Sequence, residues 1–135
     1  MTYGFSTSLK DGSMQEVEQQ VSAALMEEGF GVLTEIDVQA TLKKKLELDR
    51  PGYKILGACN PSLANQALEI DPDIGLLLPC NVVIREEADG SKTVAFMDPL
   101  AVLQLVESPE ITHLAEDVRA RLIRVKERLE RGSGD

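Results

Sequence analysis

Cys59 and Cys80 are the only two cysteines in the chain, and each begins a Cys-Asn step. The flanking residues read Gly57-Ala58-Cys59-Asn60-Pro61 and Leu78-Pro79-Cys80-Asn81-Val82, so each step adjoins an apolar, strand-like run and a proline. A thiol at a strand end just ahead of a helix start meets unpaired N–H groups and the positive end of the helix dipole, which favour thiolate. The competing reading is burial, since free cysteine is among the most buried residue types and is inert when buried. If folding brings both strand ends to one cleft, the sulfurs could cycle between dithiol and disulfide or trap a soft metal. A closed zinc site needs more ligands than two cysteines and the single, distant His113, and there is no C-x-x-C. No metal is therefore expected, and no cofactor is identified.

Polar residues at element boundaries extend this candidate site. Asn60 and Asp98 each precede a proline at a helix start, where capping alone would explain them. Helix starts converging at one sheet end would instead make an anion or carbonyl site. Asn81 lies in a strand-like run, where asparagine is disfavoured, and its amide could orient a ligand. Glu35 and Asp37 share one strand face and could hold a divalent cation or act as acid and base; a solvated face or ion pairing with lysines is the bland alternative. Lys54 is open to the same bland reading. The primary candidates are thus Cys59, Asn60, Cys80, Asn81 and Asp98, with Glu35, Asp37 and Lys54 behind them. No Ser/His/Asp set, phosphate-cradling glycine loop or nucleotide fingerprint is present.

The elements that must position these residues follow from periodicity. Tyr3 to Leu9 alternates as a strand. Ser13 with Glu16 three residues later forms a capping box, and Met14, Val17, Val21, Ala24 and Leu25 fall on one helical face that Gly29 ends. Phe30 to Val38 alternates again, placing Phe30, Val32, Thr34, Ile36 and Val38 on one face. A short helix follows with Val38, Leu42 and Leu46 on its buried side. Tyr53 to Cys59 predicts a third strand, and Asn60-Pro61 a helix whose inner face is Leu63, Ala64, Ala67 and Leu68. Asp71-Pro72-Asp73 reads as a loop. Ile74 to Ile84 is a nearly continuous apolar run in which Pro79 predicts an edge or a bulge. Asp89-Gly90 is a hairpin turn before a strand from Thr93 to Met97. Asp98-Pro99 and Ser108-Pro109 open a short helix and a long one, the latter with an apolar seam from Ile111 to Leu129. The expected fold class is α+β: one domain over residues 1–131, a mixed sheet of about five strands with helices against it, and a disordered tail at 132–135.

Bulk properties bound the function. At 135 residues, 43% hydrophobic and 27% charged, the chain can bury one core without staples. A formal charge of −9 argues against a nucleic-acid-binding face, which needs clustered Lys and Arg. Lys43-Lys44-Lys45 and the basic run from Arg119 to Arg131 are local exceptions; the second complements the negative end of a C-terminal helix. No run of about 20 apolar residues could cross a bilayer, and no signal peptide is visible, so a cytoplasmic protein with reduced thiols is expected.

The blocks Leu33-Thr34-Glu35-Ile36-Asp37-Val38, Lys54-Ile55-Leu56-Gly57-Ala58-Cys59-Asn60-Pro61, Leu78-Pro79-Cys80-Asn81-Val82 and Asp98-Pro99-Leu100, in this order, resemble the bacterial and archaeal family called domain of unknown function 302. The resemblance runs from roughly Phe5 to Leu129. It implies a compact α+β fold and a homodimer, and no established reaction. The family's characteristic residues map onto Glu35, Asp37, Cys59, Asn60, Pro61, Pro79, Cys80, Asn81, Asp98 and Pro99. Two readings of function follow. One is a small-ligand-binding or thiol-redox module at the strand ends around Cys59 and Cys80. The other is a non-catalytic interaction protein, a homodimer formed through an exposed sheet edge or the Ile111–Leu129 seam. A hydrolase or transferase working through Glu35 and Asp37 is a weaker third.

Overall fold

The computed structural model describes residues 1–132; of the tail expected at 132–135, residues 133–135 lie outside them. Helix α1 (Met14–Glu27) begins where the sequence indicates: Glu16 N donates to Ser13 Oγ at 3.1 Å and Ser13 N to Glu16 Oε1 at 3.0 Å, closing the capping box. It ends at Gly29, whose φ of 85° only glycine adopts freely. Phe30 N then bonds Leu25 O and Gly29 N bonds Met26 O, the paired bonds of a Schellman motif.

Five strands, β1 (Gly4–Leu9), β2 (Gly31–Asp37), β3 (Tyr53–Cys59), β4 (Cys80–Glu86) and β5 (Lys92–Met97), form one sheet in the order β1-β5-β4-β3-β2. Every neighbouring pair is antiparallel, so the sheet is not mixed as expected. The reason is how the connections run. Helices α2 (Val38–Leu46) and α3 (Pro61–Ile70) each leave and return at the same end of the sheet instead of crossing over it.

One sheet face is dry. Leu9, Leu56, Val82, Ile84, Val94 and Phe96 pack there against Val17, Val21 and Leu25 of α1 and Leu122, Val125 and Leu129 of the long helix α5 (Pro109–Gly132). The Ile111–Leu129 seam is therefore core and not a free surface: Ile111, Leu122 and Val125 are fully buried. A smaller cluster, Ala67, Ile74, Leu103, Ile111 and Ala115, joins α3 and α4 (Pro99–Leu103) to the start of α5. Glu28, buried at the end of α1, ties it to α5 by accepting from Arg124 at 2.8 Å and Arg128 at 3.1 Å. The Arg124 hydrogen bond, seconded by Arg128, holds its carboxyl below the usual range against the opposing effect of burial.

Other expectations shift. A register irregularity between Val32 and Thr34 inserts Leu33 as an extra residue in β2. The face predicted from strict alternation is thus split: Val32 pairs with Ala58 on the helix-covered side, while Thr34 and Ile36 lie on the opposite one. Helix α2 buries no residue, and Leu46 is exposed. The expected loop at Asp71–Asp73 opens a 3₁₀ turn (Pro72–Leu77). Pro79 marks no edge, because β4 starts one residue later and lies inside the sheet. It is joined to Leu78 by a cis peptide bond.

Candidate functional site

Ala58 pairs with Cys80 across β3 and β4, so residues 60–79 leave the sheet and come back at one end of it. Asn60 fixes the departure: its Oδ1 accepts from Leu63 N at 3.2 Å, and Pro61 takes the first turn of α3. Asp71 fixes the return, accepting from Asp73 N at 3.0 Å to begin the 3₁₀ turn. This excursion stands off from the sheet end and from α5, and a cavity of about 360 Å³ lies between them. Its floor is Ala58, Cys59 and Cys80, with Thr34 of β2 beside them. Leu63, Ala64 and Leu68 of α3 form one wall, Leu114 and Val118 of α5 the other. Leu33 and Leu68 are lining residues that are also solvent-exposed, which marks the mouth.

Three of the five primary candidates, Cys59, Asn60 and Cys80, line this cavity. The two sulfurs are free thiols and do not form a pair. Cys80 shares the helix-covered face with Ala58, and alternation turns Cys59 away from it. Their surroundings are also unmatched, Cys80 being buried and Cys59 partly exposed. Burial, not helix-end activation, sets their chemistry. It pushes the Cys59 thiol up, and it raises Cys80 to about 11, with Cys59 adding a smaller contribution. Neither thiol has the electropositive neighbourhood that makes a nucleophile.

The other two primary candidates lie elsewhere. Asn81 pairs with Gly57 on the face of the sheet that the helices leave open, and it is exposed. Asp98 caps α4 by accepting from Leu100 N at 3.0 Å, and its second oxygen accepts from Arg119 Nε at 3.1 Å. Both carboxylate oxygens are thereby committed to structure. Glu35 and Asp37 form no acid–base pair. Lys54 lies 2.6 Å from Glu35 and 2.6 Å from Glu18, and Asp37 caps α2 by accepting from Ala40 N at 2.9 Å. The lysine's hydrogen bond holds Glu35 below the usual carboxylate range, and its two acidic partners raise Lys54 above the usual lysine value. Among the described residues no three His, Cys, Asp or Glu side chains are grouped to hold a metal ion. No helix among them is long and apolar enough to cross a membrane.

Leu63, Ala64, Ala67 and Leu68, the inner face that periodicity predicts for α3, line the cavity as well. The signal for a cavity was there in part: two alanines on that face leave room that larger side chains would fill. Glycines hold the site together as well. A Cβ on Gly57 would strike Thr34 Oγ1 and come within 2.7 Å of Pro79 Cγ, and one on Gly29 would come within 2.9 Å of Asn60 Nδ2. The strands and the α3 cap can approach this closely only because both positions are bare.

The model of the family described as "Domain of unknown function DUF302" matches residues 5–129. Among solved structures, the chain is similar to one described as an uncharacterized conserved protein DUF302 from Bacillus stearothermophilus. The two share 28% identity with a TM-score of 0.86, over 96% of this chain and 99% of that one. No curated protein matches.

Proposed function

Since the chain belongs to the DUF302 family, for which the match names no activity, we propose from the site itself that this protein binds a small, largely apolar molecule at the end of the sheet. The observation that carries the reading is the 360 Å³ cavity lined by Cys59, Cys80, Asn60 and a shell of aliphatic side chains. That volume lies within the range of roughly 300–1,000 Å³ of small-molecule pockets, and apolar walls with few polar groups are their usual make-up. The upward shift of both thiols favours binding over a thiol-redox cycle, because a cycling cysteine has to ionise near neutral pH.

The test is titration with N-phenyl-1-naphthylamine, a neutral dye that brightens on leaving water. Saturable one-to-one binding is expected for the native protein. The Ala64→Phe variant fills the cavity from a half-buried position on α3, and there binding should fall by about tenfold or more, equivalent to roughly 1.4 kcal/mol. A native protein that leaves the dye dark, or a variant that binds it undiminished, removes the proposal.

A second reading rests on a separate observation. The sheet face opposite α1 and α5 carries Ile36, Ile55, Val83 and Ala95 at its centre, none of them part of either core cluster. We propose that a second copy of this chain covers it.

A further inference from the structure

Resting on the ligand-binding reading above, we infer that the cavity selects a neutral lipophile and rejects charged molecules of the same shape. Among the described residues its lining holds no Asp, Glu, Lys, Arg or His. Its polar side chains are the Thr34 hydroxyl, the Asn60 amide and the thiols of Cys59 and Cys80. The amide oxygen of Asn60 is already taken by Leu63 N. A carboxylate, sulfonate or phosphate drawn inside would lose its water and find no cation; an ammonium would find no carboxylate. An uncompensated buried charge is among the costliest groups a protein can hold.

Among the described residues, no Lys or Arg lines the cavity to correct this. Arg121 approaches Gly29 beside Asn60, but its Nη1 donates to Glu28 O at 3.0 Å and its Nε to Asp117 at 3.0 Å. Arg124 and Arg128, on the same helix, are held by Glu28. The chain's charge of −9 adds a long-range bias against anions. The volume limits size as well: about 360 Å³ is at the small end for a ligand pocket, suited to a compact hydrocarbon or aromatic skeleton with one neutral polar group.

The experiment compares two dyes sharing one skeleton. N-phenyl-1-naphthylamine is neutral; 1-anilinonaphthalene-8-sulfonate differs by one sulfonate. The native protein should bind the neutral dye at least about tenfold more tightly, and the difference should persist at high salt, where long-range repulsion is screened. Leu68→Lys sets a cation at the exposed mouth and should narrow the gap to within a few-fold. Equal affinity of the native protein for both dyes overturns the charge selectivity and leaves the binding reading standing. A gap unchanged in Leu68→Lys overturns it too, by showing that the discrimination arises elsewhere. Binding of neither dye ends the underlying reading instead.

Discussion

Cys80 has a thiol that burial has made into a core residue. Its pKa is raised to about 11, so only a small fraction is thiolate near neutrality, and Cys59 is shifted the same way by a milder burial. Because thiolate is the reacting species, alkylation should accelerate about tenfold per pH unit up to that raised value. The folded protein should therefore expose one slow thiol, Cys59, to a disulfide reagent at pH 8. Cys80 should react only on unfolding, and a filled cavity should slow Cys59 further. Two fast thiols in the native state would refute this account. The residue types were legible beforehand, since small groups at strand ends and helix starts are where sites gather. Their convergence was legible only in part. Asn81 follows Cys80 inside β4, where a period of two turns it to the open face, and of these two only Cys80 lines the cavity. The double engagement of Asp98 by Leu100 N and by Arg119, twenty-one residues away, is a long-range fact that local pattern does not hold.

At the scale of elements, the cavity depends on where α3 is held. Asn60 both caps that helix and lines the cavity, and its side chain passes close to Gly29 at the end of α1. Asn60→Ala should cost about 1 kcal/mol, the usual loss for such a cap. The cost should be local: amide exchange should quicken across α3 and leave β3 and β4 slow, and dye affinity should fall with it. Asn60→Asp keeps an accepting oxygen and should preserve the helix. Equal loosening in both variants would show that the amide, and not the cap, is what matters. Caps like this one could be read in advance because they are made two or three residues away along the chain, as at Ser13, Asp98 and Ser108. The extra residue Leu33 could not. A bulge is a matter of register between β2 and β3, and nothing within β2 announces it. The antiparallel order was hidden for the same reason: a helix between two strands reads alike whether it crosses the sheet or turns back.

The whole molecule divides its surface unevenly. Helices α1 and α5 cover one face of the sheet, and the other is left with Ile36, Ile55, Val83 and Ala95 among serines and threonines. Of the charged side chains in the strands, Glu35, Asp37, Lys54, Glu86 and Lys92 alternate onto the helix-covered side, and Arg85 on the open side is paired with Glu87. A chain of charge −9 thus presents a nearly uncharged plane to solvent. Five strands about 4.8 Å apart and about 20 Å long give a plane of some 24 by 20 Å. With side-chain relief this is of the order of the roughly 800 Å² that each partner buries in a standard interface. A two-fold axis through its middle would set Val83 and Ile55 against their own copies and keep the acidic surfaces apart. Sedimentation at tens of micromolar should therefore give a dimer. Val83→Glu, which sets two carboxylates against each other at that axis, should give a monomer, and its position outside the core should keep the melting temperature within a few degrees of native. If the native chain sediments as a monomer, the open face is a solvated one, as on many antiparallel sheets. The cavity reading survives that result, because its walls come from one copy alone.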